Sequence, residues 1–145
     1  MEIPYDYIRG LTDGEGCFTF CSVPAQDGSK VKIPAYILRM SVRDKNLIEL
    51  VRNRLKLKNK VYTYDYPGKD GYNRQPQSVL IVRDFASLRN VIIPLFYNKL
   101  YGYKRIQFVA WIEKMGADPM VPKYYKLLYK IFKNGYFEEG AKKFE

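Results

Sequence analysis

The stretch Ile8-Arg9-Gly10-Leu11-Thr12-Asp13-Gly14-Glu15-Gly16 decides the reading of this chain. Before it, Pro4 suits the first turn of a helix and Asp6 suits the positive end of the helix dipole. Gly14 and Gly16 tolerate backbone angles that other residues resist, so the helix is expected to stop there. Tyr7, Gly10, Leu11 and Gly14 recur at helical spacing and share one face. The two glycines remove side chains from that face, so a second backbone can approach it closely. Glu15 then emerges from the end of the helix. If two copies pack through their glycine faces, two carboxylates meet near one axis. A carboxylate pair there suits metal ions and phosphate chemistry.

Composition narrows the choice of chemistry. The chain has 145 residues, which favours a single domain over 1–145. Its formal charge is +10, which points to a polyanionic partner. Histidine is absent, and that excludes a Ser-His-Asp triad, a His-Asn-His nuclease and histidine-ligated zinc. The two cysteines, Cys17 and Cys21, fall on one face of an expected strand, roughly 13 Å apart. That is too far for a disulfide within the chain. Both are read as reduced thiols, which places the protein inside the cell, in cytoplasm or organelle. No apolar run approaches the length of a membrane span, and neither a signal peptide nor a lipidation motif is expected.

Alternation of apolar and polar residues lays out the remaining elements. Phe18 and Phe20 alternate with Cys17, Thr19 and Cys21 in a first strand. Asp27-Gly28-Ser29 forms the connection. A second strand sets Tyr36, Leu38, Met40 and Val42 against Ile37, Arg39, Ser41 and Arg43. Asp44 is expected to cap a helix carrying Leu47, Ile48, Val51 and Leu55. A third strand runs Val61 to Tyr66, a turn spans Pro67 to Gly71, and a fourth strand runs Gln77 to Arg83. Asp84 caps a further helix that breaks near Pro94. Another helix runs from about Tyr101 to Met115, with Ile106, Phe108, Val109 and Ile112 as core contacts. A last helix covers about Pro122 to Lys133. The outcome is an α+β domain whose antiparallel sheet carries helices on one face and leaves the other open.

The open face of a basic protein is a candidate nucleic-acid surface. Strand parity turns outward Thr19, Cys21 and Val23 on the first strand, and Ile37, Arg39, Ser41 and Arg43 on the second. It does the same for Lys60, Tyr62 and Tyr64 on the third, and Gln77, Ile81 and Arg83 on the fourth. Arginine and glutamine can bond bidentately to base edges in the major groove, and apolar side chains can meet thymine methyls. A strand of about eight residues spans roughly 26 Å. That is about eight base pairs, so two subunits plus a central segment occupy roughly 20 base pairs. A symmetric pair would read a pseudo-palindrome.

The motif, continued by Cys17-Phe18-Thr19-Phe20, resembles that of the LAGLIDADG homing endonucleases in the variant ending Asp-Gly-Glu-Gly. The element order also matches the family's αββαββα order, in which the sheet forms a saddle over DNA. One departure is Arg9, where the motif's name has alanine. Arg9 points away from the glycine stripe and is positioned to pair with Asp13. A single motif copy implies a homodimer, joined through Tyr7, Gly10, Leu11 and Gly14. The resemblance implies a site-specific, metal-dependent double-strand break in DNA with short 3′ overhangs. It implies Glu15 as ligand to a divalent cation such as Mg²⁺, with the carbonyl of Gly14 as a further ligand. It also implies a catalytic lysine, placed here at Lys104 with Arg105 competing. Asp13 is read as structural support rather than as a ligand. The third active-site position falls on Val42, with Arg43 beside it, where some family members carry a glutamine. Two alternatives share the fold: a maturase that assists folding of its intron RNA, and a non-catalytic DNA-binding regulator.

Overall fold

The computed structural model describes residues 2–65 and 75–145. Helix α1 is Tyr5–Glu15, with Pro4 just before it and Asp6 in its first turn. It passes without a loop into strand β1, Gly16–Pro24, which forms a hairpin with β2, Lys30–Ser41. At the hairpin tip Asp27 accepts hydrogen bonds from the backbone and hydroxyl of Ser29, and Gly28 takes a φ of +85°. Helix α2 is Lys45–Arg54, β3 is Val61–Tyr64 and β4 is Gln77–Val82. The four strands form one antiparallel sheet in the order β1-β2-β4-β3.

One face of the sheet is the core. Phe18, Tyr36, Leu38, Val61, Leu80 and Val82 are buried there, as strand parity requires. The ring of Phe18 lies at the centre of an aromatic cluster. It sits 5.1 Å from Phe108 and Trp111, 5.4 Å from Phe96 and 5.5 Å from Tyr36. Such edge and tilted contacts add to the area that the rings bury. The Tyr36 hydroxyl reaches α1, bonding to the Thr12 hydroxyl at 2.8 Å. Burial pushes the Tyr36 phenol up to about 12, against the opposing pull of that hydrogen bond.

The helical layer begins at Asp84, whose carboxylate accepts the Ser87 N–H as expected of a cap. The run continues as α3 (Phe85–Ser87), one wide turn at Leu88–Ile92, and α4 (Ile93–Phe96). Pro94 has no N–H to give, and the chain relaxes through the wider turn rather than breaking. Helices α5 (Tyr103–Ala117) and α6 (Lys123–Lys133) pack against each other. Beyond Gly135 come α7 (Phe137–Ala141) and a 3-10 turn at Lys142–Phe144. Phe144 stacks edge-on to Tyr5 at 5.1 Å, so the tail closes back onto α1.

Several expectations need correction. Arg9 does not pair with Asp13. It is buried, gives Nη1 to Asp6 at 2.8 Å, and donates to the carbonyls of Leu95 at 2.8 Å and Phe144 at 2.6 Å. It lies beside the core face of α1, where the tail covers it. Strand β2 ends at Ser41, and Val42–Asp44 form a 3-10 turn begun by Ser41 Oγ accepting the Arg43 N–H. Val42 and Arg43 are therefore not strand residues. Asp44 stands at the start of α2 but makes no side-chain cap. Arg83 lies one residue past β4. Ile106 and Val109 face outward, because Phe108, Trp111, Ile112 and Met115 already fill the side of α5 toward the sheet. Tyr66 and the turn Pro67 to Gly71 lie outside the described residues.

Candidate active site and nucleic-acid face

Glu15 closes α1 and is exposed, as is Gly14. The helix stops there for a steric reason rather than the conformational one expected. Gly16 has ordinary extended angles, φ −80° and ψ 166°. A Cβ on it would lie 2.6 Å from Thr12 Cγ2 and 3.1 Å from the Thr12 Cα. Glycine is needed so that the strand can leave the helix tightly against Thr12. Gly10 and Gly14 meet nothing: a Cβ on either finds no atom within 4 Å. With exposed Tyr7 they make an uncovered strip opposite the buried Ile8 and Thr12, while Leu11 beside it is half-buried against the core.

Asp13 has the structural task expected of it, with partners that its neighbours in sequence do not reveal. Its carboxylate accepts the backbone N–H groups of Tyr101 and Gly102, each at 3.3 Å. Gly102 immediately precedes α5, so an acid meets the positive end of that helix. The chain before α5 is thereby held against the end of α1, two residues from Glu15. Lys104 lies two residues after Gly102, and Lys99 two residues before Tyr101; both are half-buried. The motif points to Lys104 and Arg105 and not to Lys99, because nothing local shows that Asp13 anchors the turn between the two lysines.

Among the described residues, no three His, Cys, Asp or Glu side chains cluster as a metal cage would need. What the end of α1 offers is oxygen: the Glu15 carboxylate and the carbonyl of Gly14, in the last turn, where intrahelical bonds leave carbonyls over. That donor type suits a hard cation such as Mg²⁺, which keeps several waters and takes few protein ligands.

The other candidate surface is the sheet face away from the core. Arg39, Lys60, Tyr62, Tyr64 and Arg83 are exposed on it, and Thr19, Cys21, Val23, Ile37, Gln77 and Ile81 are half-buried. Ser41, half-buried, ends β2, and its hydroxyl donates to Gln75 at 3.1 Å; Arg43 is exposed in the turn beyond. The register puts Arg39 opposite Val79 and Val79 opposite Tyr62. Val79 shares this face yet is fully buried, a position that alternation alone could not distinguish from its neighbours. The Tyr62 and Tyr64 rings lie 6.1 Å apart, with Lys60 Nζ 5.4 Å from the centre of Tyr62. Cys17 and Cys21 are free thiols. The Tyr125 hydroxyl donates to the Arg83 carbonyl at 2.6 Å, tying α6 to the end of β4.

The four-stranded antiparallel sheet carries helices on one face, and Glu15 stands exposed at the junction of α1 and β1. The chain belongs to the LAGLIDADG endonuclease family, whose family model matches residues 8–115. No curated protein matches it. Among solved structures it resembles the homing endonuclease I-TnaI, at 17% identity and a TM-score of 0.62 over 100% of both chains. It also resembles I-LtrWI bound to target DNA, at 25% identity and a TM-score of 0.61, over 88% of this chain and 43% of that one. A third is I-SmaMI bound to uncleaved DNA with calcium ions, at 18% identity and a TM-score of 0.60, over 89% and 43%. The chain thus spans under half the length of the latter two. Among the described residues, no helix is long and apolar enough to cross a membrane.

Proposed function

We propose that this protein is an intracellular, site-specific endonuclease that acts as a homodimer on a pseudo-palindromic duplex of roughly 20 base pairs. One observation carries the reading. Glu15 stands exposed at the end of a helix on which Gly10 and Gly14 are open, a Cβ on either finding no atom within 4 Å. Two such helices packed together would bring two carboxylates to one axis, each for one DNA strand.

Glu15 would hold a divalent cation, Mg²⁺ being the candidate, with the Gly14 carbonyl as a second ligand. The cation, when bound, supplies charge stabilisation at the scissile phosphate and a water of lowered pKa. Calcium in the I-SmaMI complex supports a divalent ion of this kind. Lys104, or Lys99 across the same anchored turn, would contribute a cation toward the phosphate, worth most where water is excluded. Arg39, Arg83, Gln77 and the tyrosines would contact the duplex, separating recognition from cleavage.

The test uses a randomised duplex library, incubated with the protein and Mg²⁺, with cut ends sequenced. Recovery of one long, two-fold-related consensus is the expected result. Glu15→Gln should bind that consensus as wild type does and leave it uncut, since the amide keeps size but loses the charge that holds the cation. Wild-type cutting by Glu15→Gln would end the proposed mechanism.

A further inference from the structure

The glycine face of α1 is small for a stable dimer. An 11-residue helix is about 16 Å long and offers a face about 10 Å wide, a strip on the order of 160–300 Å². A standard interface buries about 800 Å² on each partner. More surface must therefore join the contact, and it should be apolar and adjacent to α1.

Helix α5 carries such a surface. Ile106 is 62% exposed and Val109 48%, and Tyr101, just before the helix, is 93% exposed. With Gly102, Arg105 and Ala110 these residues line an open groove of about 540 Å³. A soluble chain rarely leaves large apolar side chains together in water without a partner for them. The groove starts where α5 starts, and that point is held to α1 by the two Asp13 hydrogen bonds. A Cβ on Gly102 would already stand 3.7 Å from Asp13 Oδ1. The apolar surface of α5 is thus continuous with the end of α1.

We infer that this face of α5 is the second half of the interface with another copy of this chain, extending the contact made by α1. The inference rests on the homodimer proposed above and adds a surface to it. In a two-fold contact the same patch serves both subunits, so each substitution there counts twice. The exposure of these side chains also means that changing them need not disturb the folded protomer.

Sedimentation equilibrium of the full-length protein over a concentration series tests this. Wild type should dimerise, and Ile106→Glu and Val109→Glu should each raise the dissociation constant by about tenfold or more, through a charge buried in an apolar contact. Tyr101→Ser, outside any helix, should weaken association in the same direction and guards against a variant that fails to fold. Gly10→Leu, which crowds only the α1 contact, serves as the comparison. If Gly10→Leu dissociates the dimer while the three α5-side variants leave its constant unchanged, the α5 surface is overturned and the α1 dimer stands. A wild-type protein that stays monomeric, with and without duplex DNA, would end the homodimer reading itself. If Ile106→Glu lowers duplex affinity with dimerisation intact, this face belongs to DNA and the inference falls.

Discussion

The carboxylate of Asp13 accepts the backbone N–H of Gly102 at 3.3 Å, joining residues 89 positions apart in the chain. The second oxygen takes the N–H of Tyr101. One side chain of the motif thereby sets where α5 begins relative to Glu15.

Asp13→Ala should cost about 1–2 kcal/mol of stability, the worth of two hydrogen bonds to a charged acceptor near the surface. Asp13→Asn keeps an acceptor oxygen and should recover part of it. Urea unfolding measures the difference. Under single-turnover conditions Asp13→Ala should also slow cleavage more than it weakens binding. Comparing Lys99→Ala with Lys104→Ala in that assay identifies which lysine the anchored turn delivers. If neither slows cleavage, neither lysine is catalytic and Arg105 is the cation left to test.

Arg9→Ala restores the residue for which the family motif is named, yet it should destabilise this protein by about 2–4 kcal/mol. The alanine would leave the Leu95 and Phe144 carbonyls without their donor and remove a buried side chain. Hydrogen exchange should show the tail from α7 onward opening first. Unchanged protection of that tail would show that the Tyr5–Phe144 stacking holds it without Arg9.

Arg39→Ala should cost roughly 1–3 kcal/mol at its cognate base pair and relax specificity there. The reason is its outward position in mid-sheet, opposite the buried Val79. Loss of a phosphate contact would instead weaken all sequences alike and lower the salt slope by roughly one. A panel of single-base variants at two salt concentrations separates the cases. No change in either affinity or specificity would contradict the assignment of the two sheet faces.

Acid should weaken the fold partly through Asp84. Burial opposes ionisation of its carboxyl, but hydrogen bonds from the Ser87 side chain, Asn59 and the Ser87 N–H outweigh it and hold the group below the usual carboxylate range. A carboxyl depressed in the folded state stabilises fully above its unfolded value, near 4, and loses that contribution as pH falls through the folded value. Asp84→Asn should therefore flatten the decline in stability below about pH 4. An unchanged slope would assign the decline to other acids, such as Asp118.

Much of the site was legible because periodicity is a local property. The spacing of Tyr7, Gly10, Leu11 and Gly14 places them on one face of α1, and the structure leaves Tyr7, Gly10 and Gly14 uncovered while Leu11 leans on the core. Alternation in β2 separated Tyr36 and Leu38 from Arg39, because pleating sends successive side chains to opposite sides. It failed at Val42 and Arg43, because the strand ends at Ser41 and a 3-10 turn takes both residues.

What the sequence by itself determined is the helix that ends in Glu15, the strand that leaves it, the inward and outward sets of the sheet, and the positive charge. Each depends on neighbours within a few residues or on a sum over the chain. Only the tertiary structure decided the burial of Arg9, the partners of Asp13 and the exposure of Ile106 and Val109. Arg9 is buried because a tail more than a hundred residues later lies over it. Helix α5 is apolar on more than one side, and its own pattern cannot say which side meets the sheet. That choice is made by the shape and hydrogen-bonding needs of β1, where Gln107 accepts the Phe18 N–H and Trp111 donates to the Thr19 carbonyl. Satisfying those backbone groups turns Phe108 and Trp111 inward, and the helix geometry then leaves Ile106 and Val109 to solvent or to a second subunit.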